Sequence, residues 1–251
     1  MEMFNLQGKK AIVTGGNKGL GLKITEALLE QGAAVAILAS SESTLEVADS
    51  FTAAGFRAYG VRCDLGDGDS IEQSFRSAVS LLGGIDILVN NAGVQKRHPC
   101  EEFPFKDWQT VIDINLNAVF ILSQLAGREM LEQHFGRIIN IASMLSFFGG
   151  ITVPAYAASK GAVAQLTKAL SNEWASKGIT VNAIAPGYMN TEMNVNLLAD
   201  EVRNAEITSR IPMHRWGTPD DMKGLVVFLA SDAASYITGA IIPVDGGYLA
   251  R

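Results

Sequence analysis

The sequence has few cysteines, no surplus of basic charge and no long uninterrupted apolar run. Its 2 Cys, Cys63 and Cys100, lack the spacing of a metal or redox motif, so we expect neither disulfides nor a bound metal. Acidic residues outnumber basic ones by 26 to 20, and the net charge of −6 disfavours nucleic-acid binding. No apolar run approaches the roughly 18 residues that cross a bilayer, so no membrane contact is expected. These absences predict a cytoplasmic protein.

Linkers rich in Pro, Gly or Ser, low-complexity tracts and internal repeats are also missing. Hydrophobic residues make up 48% of the chain, which is enough for a large buried core. We therefore predict one domain over residues 1–251. One long irregular stretch, at about 187–218, precedes the last predicted helix, and loops of this length in compact domains are commonly functional. We predict that it forms a substrate lid, with one or two short helices within 195–210.

Short β-branched runs alternate with longer helical patterns along the whole chain. The strands are continuously apolar, as is typical of a parallel sheet with helices on both faces. The pattern predicts an α/β fold, a doubly wound parallel sheet of about seven strands. The predicted strands are 10–14, 34–39, 57–62, 85–90, 136–142, 179–185 and 240–244, and the predicted helices are 19–31, 43–54, 69–82, 107–132, 156–176 and 219–230.

A glycine-rich turn, residues 14–21, joins the first predicted strand to the first helix. Glycines permit positive φ and let backbone N–H groups approach a pyrophosphate at a helix N-terminus, although a plain strand-to-helix turn has the same composition. Asp64-Leu65 ends the third strand, where a carboxylate can bind the cofactor or form an Asx turn. Residues 90–93 end the fourth strand, where they can contact the cofactor or simply begin a loop. Together these segments predict a dinucleotide site formed by Gly15, Asn17, Lys18, Gly19, Leu20, Gly21, Asp64, Leu65, Asn91, Ala92 and Gly93.

Tyr156 and Lys160 lie one turn apart on the same face of a predicted helix. A neighbouring ammonium group, together with an oxidised nicotinamide, is expected to lower the pKa of Tyr156 from about 10. Ser143 follows the fifth strand, where its hydroxyl can hydrogen-bond a substrate oxygen. Asn115 is expected to hold a water in contact with Lys160. A solvated helix face and a locally bonded asparagine are the alternatives, but four polar groups at one sheet edge favour acid–base chemistry.

Taken together, these segments resemble the short-chain dehydrogenase/reductase family over essentially the whole chain. The matching residues are 14–21, 90–93, Asn115, Ser143, Tyr156-x-x-x-Lys160 and Pro186-Gly187. The resemblance implies a Rossmann-like fold, a nicotinamide cofactor and hydride transfer at a carbinol carbon. It makes Tyr156 the general acid/base, Lys160 the residue that lowers its pKa and binds the ribose, Ser143 the substrate-orienting residue and Asn115 a support for the proton relay.

The same resemblance implies further contacts with cofactor and with other copies of the chain. The nicotinamide half is expected to contact Pro186, Gly187, Met189 and Thr191, in addition to Tyr156 and Lys160. Family members generally form tetramers, so a homotetramer is implied, in which Arg251 approaches a neighbour's pocket.

A narrower resemblance concerns the substrate. Five segments look like the family members that act on 2-dehydro-3-deoxy-D-gluconate, which are also called 2-deoxy-D-gluconate 3-dehydrogenases. These segments are 140–150, 185–189, 210–212, 215–217 and 244–251. Segments 93–99 and 102–104 look more like those that act on gluconate. A sugar acid is therefore the expected substrate. An arginine at position 97 can hold its carboxylate bidentately, with a solvated basic loop as the alternative. The predicted substrate residues are Ser143, Gln95, Arg97, Met144, Tyr156 and Arg215. For Arg215, the alternative is that its side chain packs within the lid.

The end of the second strand lacks the carboxylate that NAD-using relatives commonly carry there. Ala39 is followed by Ser40 and Ser41, and the first acidic residue is Glu42. Serine hydroxyls can donate to a 2′-phosphate, and Lys18 in the glycine turn can supply countercharge. The sequence therefore favours NADP(H), with NAD(H) as the alternative.

Two other functions compete with the sugar-acid oxidoreductase. The segment at Ala39 is similar to NADP-using ketoacyl-carrier reductases of the same family, but a basic docking patch for an acidic carrier is confined to Lys96-Arg97. A nucleotide-binding protein without turnover is the second alternative. It is disfavoured because Ser143, Tyr156 and Lys160 are all present.

Overall fold

A computed structural model describes residues 2–251, so Met1 of the predicted domain lies outside the described residues. The strands are β1 (Lys10–Thr14), β2 (Ala34–Ala39), β3 (Ala58–Arg62), β4 (Ile87–Asn90), β5 (Gly136–Ile141), β6 (Ile179–Pro186) and β7 (Ile241–Val244). Over the described residues they form one sheet in the order β3-β2-β1-β4-β5-β6-β7, and every neighbouring pair is parallel. The predicted doubly wound sheet of about seven strands is therefore confirmed.

Helices cover both faces of this sheet. They are α1 (Gly19–Glu30), α2 (Ser43–Ala53), α3 (Gly68–Leu82), α4 (Phe105–Ile112), α5 (Ala118–Glu132), α6 (Pro154–Trp174), α7 (Val195–Ala199), α8 (Glu201–Arg210) and α9 (Lys223–Ala230). The predicted helix 107–132 is wrong in one detail, because a π-helical turn over Asp113–Asn117 separates α4 from α5. The predicted helix 219–230 begins instead as a 3-10 turn, Pro219–Met222, ahead of α9.

The core consists of two main apolar layers, one on each face of the sheet. Successive residues of β1 show the division, since Ala11 and Val13 pack in one layer and Ile12 packs in the other. Side chains alternate across a strand, and both faces are covered, so a strand of this kind must be apolar at every position. Helices α1 and α9 contribute to the first layer, and α3, α5 and α6 contribute to the second.

The strand order reverses between β1 and β4, and this reversal determines where a ligand can bind. From β1 the chain continues outward through β2 and β3, then returns to the other side of β1 as β4. The helices that follow β1 and β4 consequently leave the sheet in opposite directions, and a crevice opens at the carboxyl ends of these strands.

The segment Phe105–Glu132 is long and apolar enough to cross a membrane by length and composition, with a mean hydropathy of 1.3 over its best window. The segment meets this criterion by mean hydropathy alone, because polar residues interrupt it and it contains no apolar run of that length. In the structure 44% of that window is buried inside the protein. Ala118, Leu122, Ala126 and Met130 form part of the second core layer, so this segment is a core helix.

Candidate active site

One large cavity lies at the carboxyl edge of the sheet, where β1, β4, β5 and β6 end. Its volume is about 730 Å³. One end is formed by the glycine-rich turn and the end of β2, and the other by residues that follow β4 and β5 together with the start of α6. Of the residues predicted from the sequence, those that line it are Gly15, Asn17, Lys18, Gly19, Leu20, Gly21, Ser40, Ser41, Asp64, Leu65, Asn91, Ala92, Gly93, Gln95, Ser143, Tyr156, Lys160, Pro186, Gly187, Met189 and Thr191.

The turn between β1 and α1 is built for close approach of backbone to a ligand. Gly15 and Gly19 have φ of +62° and +54°, in the left-handed region that favours glycine. A Cβ on Gly21 would lie 2.1 Å from the Gly15 carbonyl oxygen, so the turn and the helix meet at a distance that excludes any side chain. The Asn91 amide donates to Thr14 O at 2.9 Å and to Gly15 O at 3.3 Å, which ties the turn to the end of β4. These features fit the pyrophosphate of a dinucleotide.

Hydroxyl groups and one lysine surround the end of β2. Ser41 and Ser43 are joined by a hydrogen bond of 2.8 Å between their hydroxyls, and the Asn17 amide donates to Ser43 Oγ at 3.1 Å. Lys18 Nζ lies 3.2 Å from a Glu192 carboxylate oxygen, an ion pair that joins the glycine turn to the predicted lid. Glu42 does not line the cavity and lies 3.7 Å from Arg62. At this end the serine hydroxyls and the Lys18 ammonium group can donate hydrogen bonds, and the Glu192 carboxylate that pairs with Lys18 can only accept.

Asp64 lies at the same end and adopts the Asx turn that was the alternative prediction. Its Oδ1 accepts a hydrogen bond from the Gly66 backbone N–H at 2.9 Å. The residue lines the cavity as well, together with Leu65 and the buried Cys63. The turn therefore holds the carboxyl group at the cavity wall, and the two interpretations of Asp64 are compatible.

Ser143, Tyr156 and Lys160 come together at the opposite end of the cavity. Ser143 follows β5, and its Oγ accepts from the Leu145 backbone N–H at 3.1 Å, which caps a short 3-10 turn. Lys160 lies one turn after Tyr156 on α6, with its Nζ 5.7 Å from the Tyr156 ring centroid. The ammonium group donates to the Ile141 carbonyl oxygen at 2.6 Å and is only 3% exposed. This bond fixes the lysine against the end of β5.

Burial dominates the electrostatics of these groups in the cofactor-free chain. Burial raises the pKa of the Tyr156 phenol above its ordinary value, and the hydrogen bond with Ser143 acts in the opposite direction. Burial also lowers the pKa of Lys160 from 10.5 to about 8. The expected lowering of the tyrosine pKa by Lys160 is therefore not seen in this chain alone, because desolvation of the phenolate outweighs the effect of Ser143.

Asn115 lies in the π-helical turn and is fully buried. Its Nδ2 donates to Val94 O at 2.9 Å and to Ser159 Oγ at 3.2 Å, and its Oδ1 accepts from Val94 N at 2.8 Å. Among the described residues no hydrogen bond joins Asn115 to Lys160. The wider turn thus aims the amide at the loop after β4, and π-helical turns frequently occur at functional sites.

Three of the predicted substrate residues lie away from the cavity wall. Arg97 is exposed and donates to Gln95 Oε1 at 3.2 Å. Arg215 forms two hydrogen bonds of 2.8 Å with Asp221, and this pairing holds the pKa of Asp221 well below its usual range. Met144 is buried in an aromatic cluster with Tyr188 and Tyr248. Arg215 therefore has the lid-packing contacts that were the alternative, and Arg97 those of a solvated loop.

The structure also adds cavity residues that the sequence did not single out. Lys96 lines the cavity beside Gln95, as do Val94 and Ile114. Glu192, Met193 and Asn194 form the edge contributed by the predicted lid, between β6 and α7. Lys96 was visible in the sequence as part of a basic pair, but only the path of the loop decides which member of that pair faces the cavity. The lid edge has no motif that would have identified it.

The two ends of the predicted lid, 187–218, are joined to each other. Met189 pairs with Gly217 as an isolated parallel bridge, and a Cβ on Gly217 would lie 2.3 Å from Met189 Sδ. Trp216 Nε1 donates to Asn204 Oδ1 at 2.9 Å, which fastens α8 to the end of the segment. Helices α7 and α8 are the short helices predicted within 195–210.

Comparison with known proteins places this geometry among oxidoreductases. A family model described as enoyl-(acyl carrier protein) reductase matches residues 15–249. A 2-dehydro-3-deoxy-D-gluconate 5-dehydrogenase of Pseudoalteromonas atlantica is 50% identical, with 100% of both chains covered. A crystal structure of a putative NAD(P)-dependent gluconate 5-dehydrogenase from Beutenbergia cavernae, with bound NADP at low occupancy, has a TM-score of 0.96 at 46% identity and covers 99% of this chain and 100% of that one. A putative 2-deoxy-D-gluconate 3-dehydrogenase from Agrobacterium tumefaciens with bound NADP has a TM-score of 0.93 at 47% identity, with 100% of both chains covered.

Proposed function

Because this chain belongs to the short-chain dehydrogenase/reductase family, we propose that it transfers a hydride between a nicotinamide cofactor and a carbonyl or hydroxyl carbon of a sugar acid. The observation that carries the proposal is the arrangement of one cavity. A glycine turn fitted to a pyrophosphate lies at one end, and a buried serine and lysine lie with a half-buried tyrosine at the other. The names of the relatives described above support 2-dehydro-3-deoxy-D-gluconate as the substrate, oxidised at C5, with gluconate as the alternative.

Tyr156, Ser143 and Lys160 are proposed to handle the proton that accompanies the hydride. The nicotinamide, when bound, accepts or supplies the hydride. In the reductive direction the Tyr156 O–H donates its proton to the substrate oxygen, while the Ser143 hydroxyl donates a hydrogen bond to the same oxygen. The Lys160 ammonium group, fixed by Ile141 O, stabilises the phenolate that remains. In the oxidative direction the phenolate accepts the proton from the substrate hydroxyl.

The adenosine end is proposed to prefer NADP(H). Ser40, Ser41 and Lys18 line the cavity there, and the carboxylate of Glu42 does not. A 2′-phosphate would therefore meet hydroxyl donors and the Lys18 ammonium group, whose partner in the structure is the Glu192 carboxylate of the lid. Titration of the protein with NADPH and with NADH, followed by cofactor fluorescence, tests this preference. At least tenfold tighter binding of NADPH is expected, and equal affinities would reject it.

The remaining site assignments are proposals on the same basis. Gly15, Gly19 and Gly21 are proposed to hold the pyrophosphate. The nicotinamide half is proposed to contact Pro186, Gly187, Met189 and Thr191. Asn115 is proposed to act through its two hydrogen bonds with Val94, which fix the start of the substrate loop. Among the predicted substrate residues, Gln95 has the support of lining the cavity, while Arg97, Met144 and Arg215 do not.

We further propose one catalytic domain with a lid over 187–218, a homotetrameric assembly and a cytoplasmic location. Support for assembly comes from large apolar side chains on the surface of the single chain. Phe105 and Ile151 are 75% and 79% exposed, and Tyr236 is fully exposed. Such side chains are commonly covered in oligomers. Sedimentation equilibrium tests the proposal, and a monomer at micromolar concentration would reject it.

The identity of the substrate is tested by oxidation of 2-dehydro-3-deoxy-D-gluconate and of D-gluconate in parallel, with NADP and with NAD. We expect the higher kcat/KM with the deoxy acid. A higher value with D-gluconate would make the alternative the correct assignment. The ketoacyl-reductase alternative is tested by measuring reduction of an acetoacetyl thioester with NADPH. Turnover of the thioester without turnover of either acid would favour that alternative.

A further inference from the structure

The loop after β4, residues 91–99, passes along the substrate end of the cavity and has no regular secondary structure. Its first half is anchored at Val94, whose backbone N–H and carbonyl both bond to the buried Asn115 amide, at 2.8 and 2.9 Å. Because the N–H and the C=O of one residue belong to successive planar peptide units, these two bonds fix the backbone on both sides of Val94. The loop therefore leaves Val94 in a defined direction.

The second half of the loop is anchored at His98. The His98 backbone N–H donates to Thr152 O at 3.1 Å, which joins the loop to the segment just before α6. The His98 ring Nε2 lies 2.7 Å from Asp107 Oδ2, and a carboxylate can only accept, so the ring donates this bond. The ring also packs edge-on against Phe103, with centroids 5.1 Å apart. The backbone N–H, the ring nitrogen and the ring edge of His98 therefore all contact other parts of the chain.

Three residues span the distance between these anchors, and they do not face the same way. Gln95 and Lys96 line the cavity, while Arg97 lies outside it and donates to Gln95 Oε1. Lys96 Nζ lies 4.0 Å from Asp107 Oδ1, which is beyond hydrogen-bond distance, so the ammonium group has at most a loose ion pair. Its side chain remains 46% exposed. Asp107 thus contacts His98 closely and lies near Lys96 without binding it tightly.

We propose that Lys96 binds the carboxylate of the sugar acid, and that Asp107 and His98 are positioning residues that hold the loop so that Lys96 faces the cavity. The inference rests on the proposed function, because it assumes an anionic substrate. An arginine has the better geometry for bidentate binding of a carboxylate. The loop turns Arg97 away from the cavity, however, so the inference assigns recognition of the substrate's charge to Lys96.

The matched pair Lys96→Met and Arg97→Met tests the assignment, since each variant removes one positive charge from adjacent positions of one loop. The assay is reduction of 5-keto-D-gluconate, with the uncharged 5-keto-D-gluconamide as a second substrate. Loss of a charge-assisted bond is expected to raise KM for the acid about 10- to 100-fold in Lys96→Met, with kcat within about threefold. In Lys96→Met, KM for the amide should stay within about twofold of the wild-type value. In Arg97→Met, KM for the acid and KM for the amide should both stay within about twofold of wild type.

The positioning role has its own measurement. Asp107→Asn replaces the carboxylate that accepts the hydrogen bond of the His98 ring. In this variant, KM for the acid is expected to rise about 3- to 10-fold with little change in kcat. Because Asp107 is proposed to act through Lys96, the same change in a Lys96→Met background should have almost no further effect on KM. Additive losses in the double variant would overturn the positioning role and leave a purely structural one.

The outcomes separate this inference from the function on which it rests. If the wild-type protein reduces 5-keto-D-gluconate and Lys96→Met leaves KM unchanged, or Arg97→Met has the larger effect, the inference is overturned and the proposed function stands. If the wild type reduces neither 5-keto-D-gluconate nor 2,5-diketo-3-deoxygluconate, and neither D-gluconate nor 2-dehydro-3-deoxy-D-gluconate protects it against thermal unfolding, both are overturned. Melting temperatures of all variants within a few degrees of wild type establish that they are folded, and D-gluconate protection that is weakened in Lys96→Met alone supports the assignment without turnover.

Discussion

Replacement of Lys160 by methionine is expected to stabilise the cofactor-free protein while abolishing its activity. Lys160 is 3% exposed, and burial lowers its pKa from 10.5 to about 8. A pKa difference of about 2.5 between the unfolded and folded states corresponds to about 3 kcal/mol of destabilisation where the lysine is charged, at about 1.4 kcal/mol per pKa unit. Methionine has a similar length and no charge, so Lys160→Met removes this cost.

The variant also loses the hydrogen bond from Lys160 Nζ to Ile141 O, a loss of about 1 kcal/mol. A net gain of about 2 kcal/mol should raise the melting temperature by about 4–8 °C for a chain of this size. The free energy of unfolding of the wild type falls as the pH drops from about 10.5 to about 8, since only the unfolded lysine takes up a proton there, and is constant below. Lys160→Met should therefore melt above the wild type at pH 7, and above pH 10.5, where only the loss of the hydrogen bond remains, it should melt slightly below the wild type.

Differential scanning calorimetry of both proteins without cofactor, at pH 7 and above pH 10.5, measures this difference. The control is Lys168→Met, which removes an exposed lysine from the same helix and should show no pH-dependent gain. A lower melting temperature for Lys160→Met than for wild type at pH 7 would refute the reasoning, as would a gain of equal size at both pH values.

Three further predictions concern the two ends of the cavity. Tyr156→Phe should lower turnover by about 10²- to 10⁴-fold while the NADPH dissociation constant from fluorescence titration stays within about twofold; residual activity near wild type would reject the acid/base role. Gly21→Ala should abolish cofactor binding, because the new Cβ would lie 2.1 Å from the Gly15 carbonyl oxygen, whereas Gly224→Ala, which meets open space, should bind normally. Ser143→Ala removes the hydrogen bond that lowers the Tyr156 pKa, so the alkaline limb of the reductive pH–rate profile should move to higher pH, and an unshifted limb in the residual activity would contradict that contact.

The strands and the ends of the cavity follow from local patterns in the sequence. A parallel strand between two helical layers has no polar face, so β2, which is buried at every position, is visible as an unbroken apolar run. The glycine turn is equally visible, because close contact between Gly15 and Gly21 tolerates no other residue. These features depend on neighbours within a few residues or on the strand beside them, and a single sequence contains that information.

The errors arise where distant parts of the chain decide the outcome. The π-helical turn at Asp113–Asn117 has helical composition, and what distinguishes it is the pairing of Asn115 with Val94, 21 residues away. The direction of the Tyr156 pKa depends on how much of the phenol is buried, which spacing to Lys160 cannot give. Whether Lys96 or Arg97 faces the cavity depends on the anchoring of the loop to Asp107.

The central claim is that this cavity reduces and oxidises sugar acids. It is tested most directly by following consumption of NADPH, and separately of NADH, with 5-keto-D-gluconate and with 2,5-diketo-3-deoxygluconate. The account predicts turnover of at least one of these acids, faster with NADPH, and its loss in Tyr156→Phe. Absence of turnover of both acids by a protein that binds NADPH tightly would contradict it.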